Sequence, residues 1–370
     1  MTTAERTGGE PRVLVAMSGG VDSSVAAALL VESGAEVVGV TMHLAGDSSR
    51  CCSLEDAEDA RRVAERLGIR FYVANYADSF RREVVESFAD AYLAGRTPIP
   101  CVICNKRFKF DQLMDRASIL RASSVATGHY AQVERDPETG RRVLRRAVDR
   151  TKDQTYFLFQ LDQAQLERIH FPLGGLTKQQ VRERARALGL RTADKPESQE
   201  ICFVPDGDYA RVVEEVRPEA KSRGGEIVDE AGQVVGRHDG IHRFTIGQRH
   251  GLRVSADRRL YVTRLEPGSR RVVVGGVDDL GVARAVVSAV NWIAGETPSM
   301  PLRARVQVRH RHDGADAHIT PLPDGRARVE FDQPVRAVAP GQAAVFYEIG
   351  VAREERVLGG GWIEETQRGS

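Results

Sequence analysis

The sequence predicts three parts in series: an α/β domain built on a parallel sheet with helices on both faces, a small, mostly β central domain, and a C-terminal β-barrel. Three observations predict this. Apolar, strand-like runs alternate with helical periods through the N-terminal half. Near Glu214 the composition changes to short strands and glycine turns. Beyond Gly281, residues alternate apolar and polar at Ala304–Arg309 and Ala327–Phe331, around a hairpin turn at Pro323-Asp324-Gly325. The expected domains are residues 10–213, 214–280 and 281–365.

Val13 to Ala16 reads as a buried strand, and Ser18-Gly19-Gly20 as a tight turn. Asp22, Ser23 and Ser24 then open a helix that stays apolar through Val31. The glycines permit close backbone approach and positive φ. The unpaired amides at the helix start, with serine hydroxyls beside them, suit a phosphate or pyrophosphate. The run lacks the Lys-Ser/Thr ending of a Walker A loop and is not GxGxxG. Glu36 to His43 is a second strand, with Met42 at its end either lining an adenine pocket or serving as core. Ser53 to Leu67 follows as a helix and Ile69 to Ala74 as a third strand. Ligands in such sheets sit at the carboxyl ends of strands, where the glycine turn and Met42 fall.

Phe80 to Leu93 reads as an amphipathic helix, broken by Gly95 to Pro100. Cys101 and Cys104 follow, beside a basic helix start at Lys106, Arg107 and Lys109 that would lower a thiol pKa. A strand then leads into Gly128-His129-Tyr130. From Arg141 to Lys152 six residues are basic, either a phosphate-facing surface or the solvated face of a hairpin. The adjoining KDQTYFL, with its aromatic residues, favours a contact surface. Gln163 to His170 and Thr177 to Leu188 read as helices.

Lys and Arg number 53 against 52 Asp and Glu, so bulk charge neither favours nor excludes nucleic acid, and any basic face must be local. No apolar run reaches the length of a membrane span, and the polar start has no signal core, so a cytoplasmic protein is expected. The five cysteines, Cys51, Cys52, Cys101, Cys104 and Cys202, are too few and too clustered for a secreted disulfide framework. Cys51 and Cys52 are adjacent, their side chains diverge, and no role is assigned to them.

The hexamer SGGVDS at 18–23 resembles the pyrophosphate loop of the ATP pyrophosphatase superfamily. Seven further stretches narrow the resemblance: PCVICNKRFKF at 100–110, ATGHYA at 126–131, KDQTYFL at 152–158, SQEICF at 198–203, GIHRFTIGQRHGL at 240–252, GQAAVFY at 341–347 and LGGGWI at 358–363. Together they resemble the tRNA-specific 2-thiouridylase family, bacterial enzymes that thiolate the wobble uridine of tRNA. The resemblance implies a nucleotide-binding domain, a central linking domain and a barrel. It also implies ATP, Mg²⁺, tRNA for Lys, Glu and Gln, and a cysteine desulfurase or sulfur-relay protein as donor.

Carried over by position, Ala16, Met17, Ser18, Gly19, Gly20, Val21, Asp22 and Ser23 form the ATP loop, with Met42 and Gly128 as further nucleotide contacts. Asp22 is the candidate Mg²⁺ ligand, directly or through water. Cys104 is one half of the catalytic pair and Cys202 the persulfide carrier. His129, Lys152, Asp153, Gln154, Arg309, His310 and Gln342 match tRNA-contacting positions, although His310 stands where an aromatic residue is usual. The implied chemistry adenylates the C2 oxygen of uridine. Persulfide sulfur from Cys202 replaces the adenylate, and Cys104 resolves the product, leaving a Cys104–Cys202 disulfide. One departure matters: Ile99-Pro100-Cys101 replaces a usual Asn-Pro-Asp. Cys101 then gives an alternative, an iron–sulfur cluster on Cys101, Cys104 and Cys202 with one iron open to external sulfide. The persulfide route is the expectation, with Cys101 dispensable.

Overall fold

The computed structural model describes residues 11–44, 54–195, 201–222, 224–350 and 355–369, so Cys51, Cys52 and Ser198 to Glu200 of the SQEICF stretch lie outside it. The chain forms two compact units, Met1–Arg81 with Ile103–Pro205, and Arg82–Val102 with Asp206–Ser370.

The first unit holds β1 (Arg12–Ala16), β2 (Glu36–His43), β3 (Arg70–Asn75), β4 (Ser124–Ala126), a hairpin of β5 (Ala131–Arg135) and β6 (Arg142–Arg146), and β7 (Ile169–His170). Five of these form one parallel sheet in the order β3-β2-β1-β4-β7. Val13, Leu14 and Val15 are buried because β1 is central and covered on both faces. Helix α1 (Val21–Glu32) packs Val25, Ala26 and Ala27 into a core shared with Val13 and Val15 and with Ala60, Val63 and Ala64 of α2 (Leu54–Leu67). Strand order turns in opposite directions from β1, to β2 on one side and β4 on the other. The crevice at the carboxyl ends of β1 and β4 is therefore the switch point where open α/β sheets bind ligands.

One helix is shorter than its sequence pattern. The helical period covers Gln163 to His170, but the helix ends at Arg168, and Ile169 and His170 join the sheet as β7. A two-residue strand shows no alternation, so the helical period runs on through it.

In the second unit β8 (Gly225–Asp229), β9 (Val234–His238), β10 (Tyr261–Glu266) and β11 (Arg271–Gly275) form a sheet in the order β10-β11-β8-β9. Its core is Ile227, Ile241, Phe244, Leu252, Val262, Val272 and Val274. The remaining strands are β12 (Gly281–Trp292), β13 (Leu302–Gln307), β14 (Ala315–Leu322), β15 (Arg326–Arg336), β16 (Ala343–Tyr347) and β17 (Val357–Arg368). They close an antiparallel barrel in the order β12-β15-β14-β13-β16-β17. The alternation read at 304–309 and 327–331 fills the barrel: Ala304, Val306, Val308, Ala327, Val329 and Phe331 all lie in its core.

The segment Arg82–Val102 belongs with the second unit for a local reason. Tyr92 stacks on Tyr209 with centroids 4.6 Å apart, and Asp90 accepts two hydrogen bonds from Arg217. Among the described residues no helix is long and apolar enough to cross a membrane.

Candidate active site

The glycine turn connects β1 to α1 at the switch point. Gly19 has φ +69°, and a Cβ there would lie 2.2 Å from the Asp56 carbonyl oxygen, so only glycine fits. Gly128, just past β4, is equally constrained: its Cβ would lie 2.7 Å from the Ser23 amide nitrogen. The turn thus presses against the backbone of α2 at Asp56, and the end of β4 presses against the start of α1. The Ser23 hydroxyl accepts from the Ser18 amide at 3.1 Å, and the Ser24 hydroxyl donates to the Gly20 carbonyl at 2.8 Å. Gly20, at the N-cap, supplies no side chain to the first amides of α1, which suits an anionic ligand. Ser18 is exposed, whereas Met17 and Val21 are buried and can offer a ligand only backbone. Ala16 is half-buried at the end of β1 and Met42 is buried at the end of β2.

Asp22 is already tightly held. Lys178 Nζ lies 2.8 Å from both carboxylate oxygens, and the Tyr130 hydroxyl donates to one of them at 2.8 Å. Lys178 is itself only 9% exposed. A Mg²⁺ ion held by Asp22 would share the carboxylate with Lys178 and Tyr130. Among the described residues no three His, Cys, Asp or Glu side chains gather as a metal site.

A second lysine secures the other flank of the turn. Lys195 Nζ donates to the Gly19 carbonyl at 3.2 Å, to Asp56 at 2.8 Å and to Asp59 at 2.7 Å. Burial works against its charge, but the two carboxylates outweigh that and hold its pKa above the ordinary lysine value. Sequence reasoning missed both lysines. The Thr177-x-x-Gln180 capping box marks the helix carrying Lys178 but says nothing of where its ammonium points.

Cys104 ends the helix Pro100–Cys104 and begins the π-helical segment Asn105–Gln112. It is buried, Cys202 is half-buried and Cys101 is exposed, all three as thiols. An aromatic chain ties the two catalytic candidates to one region. Phe203, next to Cys202, meets Phe80 edge-on at 6.0 Å, and Phe80 meets Phe108, one turn beyond Cys104, at 5.5 Å. The basic residues expected to activate the thiol have carboxylate partners. Lys106 bonds Gln165 at 2.9 Å and Asp162 at 3.4 Å, and Arg107 lies 3.8 Å from Asp111. Burial raises the Asp111 pKa in spite of the pull of Lys106 and Arg107. Cys101 is thus set apart from the buried Cys104 by its exposure on the same helix.

The expected RNA contacts separate into two sets. His129 is buried between Phe110 and Phe171, with Nδ1 2.7 Å from the Thr127 hydroxyl. Burial, helped by the Lys109 charge, holds its pKa well below the usual histidine value, so the imidazole is neutral. Asp153 is buried and accepts from Arg146 at 3.1 Å, the Ala147 amide at 2.9 Å and the Thr155 hydroxyl at 2.7 Å. Gln154 accepts from the Tyr130 amide at 3.0 Å. Gln342 donates to the Thr97 carbonyl at 2.9 Å, beside the Thr97 amide bond to Pro340 at 2.8 Å. Lys152 is half-buried, while Arg309 and His310 are exposed on the turn after β13.

Three of the six basic residues from 141 to 152 have carboxylate partners. Arg142 pairs with Glu167 at 2.9 Å, Arg145 with Glu134 at 2.9 Å and Arg146 with Asp153 at 3.1 Å. These three carboxylates come from β5, from the segment after β6 and from the helix Gln163–Arg168.

Fold and site define a class: an α/β domain with a glycine turn at the switch point of its parallel sheet and two cysteine segments in the same unit, followed by a β sheet and a closed barrel. Comparison with known families agrees. Residues 11–206 match a family described as "tRNA methyl transferase HUP domain", 213–276 a "tRNA methyl transferase PRC-barrel domain" and 283–363 an "Aminomethyltransferase beta-barrel domain". The chain is 50% identical to the tRNA-specific 2-thiouridylase MnmA of Solibacter usitatus (strain Ellin6076), over 96% of this chain and 100% of that one. It is 49% identical to the protein of that name from Acidobacterium capsulatum, covering 95% and 98% of the two chains. For the Chloroflexus aggregans protein of that name the identity is 50%, covering 96% and 99%. The chain belongs to the tRNA-specific 2-thiouridylase family.

Proposed function

We propose that this chain is a cytoplasmic tRNA-uridine 2-sulfurtransferase that uses ATP to thiolate the wobble uridine of tRNA for Lys, Glu and Gln. One observation carries the reading. A glycine turn suited to pyrophosphate and two cysteine segments joined through Phe80 belong to the same α/β unit. A different ATP pyrophosphatase would explain residues 18–23 but not Cys104 and Cys202.

In this reading residues 16–23, with Gly128 and Met42, hold the nucleotide, and the amides at the start of α1 stabilise departing pyrophosphate. Lys178 and Tyr130 fix Asp22, which would hold Mg²⁺ directly or through water. The C2 oxygen of uridine takes AMP and becomes a good leaving group. A donor such as a cysteine desulfurase or relay protein loads Cys202 as Cys202–S–S⁻. The terminal sulfur attacks C2, AMP leaves, and a Cys202–S–S–C2 link forms. The Cys104 thiolate attacks the Cys202 sulfur. The RNA departs with the terminal sulfur as its thiocarbonyl, and two thiolates are oxidised to one disulfide. Lys152, Arg309 and His310 contact the RNA, Arg309 from a side chain that also donates to the Arg336 carbonyl at 2.9 Å. Asp153, Gln154, His129 and Gln342 shape the surfaces that present them.

The test is nucleoside analysis of unmodified tRNA after incubation with protein, ATP, Mg²⁺ and a persulfide donor. The expected result is 2-thiouridine with one AMP and one pyrophosphate per thiolation. ATP cleavage that ignores tRNA would refute the assignment.

A further inference from the structure

The GIHRFTIGQRHGL stretch has no part in the chemistry above, yet it leads into an exposed basic loop of the second unit. Between Gln248 and β10 the chain makes a closed excursion. The Gly247 amide bonds the Val262 carbonyl at 2.7 Å, and the Val262 amide bonds the Gln248 carbonyl at 2.9 Å. The Gln248 side chain braces the neck, accepting from the Thr245 amide and donating to the His250 carbonyl, both at 2.9 Å. Inside the loop Leu252 is buried in the sheet core, and Val254 and Leu260 pack against that core. These anchors fix the loop without using any charged group.

Everything else turns outward. Arg249, His250, Arg253, Arg258 and Arg259 are all exposed, with Asp257 the one carboxylate among them. Among the described residues Arg249, Arg258 and Arg259 make no ion pair. Arg253 approaches Asp239 only at 3.9 Å, with both side chains about four-fifths exposed, a contact of negligible strength. In a chain whose formal charge is +1, this is a local excess of guanidinium groups on an anchored frame.

We propose that the loop 249–259 is a docking surface for the phosphate backbone of the RNA substrate, outside the site of sulfur transfer. The inference rests on the proposed tRNA reading. Guanidinium forks on a fixed frame match phosphate oxygens in pairs. The inward course of Leu252, Val254 and Leu260 leaves no apolar wedge for a membrane and no apolar centre for a protein hot spot. Such contacts position the RNA and do not read its sequence.

The experiment measures tRNA affinity of the full chain against salt for wild type, R258E/R259E and R258K/R259K. The glutamate pair should bind at least about tenfold more weakly near 0.1 M salt, and its log–log slope should fall by about 0.7–0.9 for each phosphate no longer neutralised. The lysine pair, which keeps the charge but loses the fork, should keep the salt slope and bind between the other two proteins, and all three should melt alike. Equal affinity and slope in the glutamate pair would overturn the proposal. So would intact tRNA binding combined with failed loading of Cys202 by a donor protein, which would make the loop a protein surface. Absence of tRNA binding by the wild type would instead refute the tRNA reading itself.

Discussion

The two arginine-rich stretches at 141–152 and 249–259 have similar compositions and opposite physical states. In the first, Arg142, Arg145 and Arg146 sit on or beside a β-hairpin and each meets a carboxylate. Arg146 and Asp153 are both largely buried, so their pairing belongs to the interior of the unit. In the second, apolar residues take the inward positions, Arg249, Arg258 and Arg259 make no ion pair among the described residues, and Arg253 meets Asp239 only at 3.9 Å. Basic density alone therefore does not make a nucleic-acid surface. What matters is whether the fold supplies a counter-charge, and a counter-charge can come from anywhere in the chain.

Removing one arginine from each stretch should separate the two states most sharply. Arg146→Met leaves the Asp153 carboxylate buried without its cation, and chemical denaturation should show a loss of about 3–5 kcal/mol. Arg258→Met should stay within about 0.5 kcal/mol of wild type, as an exposed substitution does. Equal stability effects at the two positions would break the comparison.

Lys195 is an intermediate case, a cation committed to the protein yet touching the nucleotide turn. Lys195→Met should raise the KM for ATP in tRNA-dependent pyrophosphate release by about tenfold or more, as expected for loss of charge-assisted hydrogen bonds worth about 1.5–3 kcal/mol. An unchanged KM would show that the turn holds its shape without the lysine.

His129 extends the contrast to a group kept neutral. Its folded pKa is lowered by burial and by Lys109, against an unfolded value of about 6.5. Below about pH 6.5 the unfolded chain takes up a proton that the folded chain refuses. Its contribution to stability is therefore present above that pH and lost as pH falls toward the folded value. Unfolding free energy should drop between pH 7 and pH 5, and His129→Gln should flatten part of the drop. His170, His238 and His312, also lowered by burial, supply the rest. The smallest effect is expected at Gln342, whose amide holds Thr97. Gln342→Ala should speed hydrogen exchange around Thr97 by about fivefold, the equivalent of about 1 kcal/mol.

The parts that were legible in the sequence are those determined within a short stretch. The glycine turn, the apolar strands at its flanks and the alternation in the barrel depend on neighbours a few residues away. The parts that were not legible depend on distant partners. Lys178 reaches Asp22 across 156 positions and Lys195 reaches Gly19 across 176. Glu134, Asp153 and Glu167 neutralise arginines whose spacing gave no sign of them. The cysteine pair was named from family motifs, and Phe80, which links its two segments, carries no motif at all. Cys101 was legible as an oddity; its exposure on the helix Pro100–Cys104 follows from packing.

The central claim is that sulfur passes through Cys202 and that Cys104 closes the cycle. Single-turnover thiolation without reductant, followed by peptide mass analysis, tests it directly. The account predicts one Cys104–Cys202 disulfide per 2-thiouridine formed, in wild type and in Cys101→Ser alike, with no product from Cys202→Ser. Thiolation without that disulfide, accompanied by stoichiometric iron and labile sulfide and lost in Cys101→Ser, would contradict it.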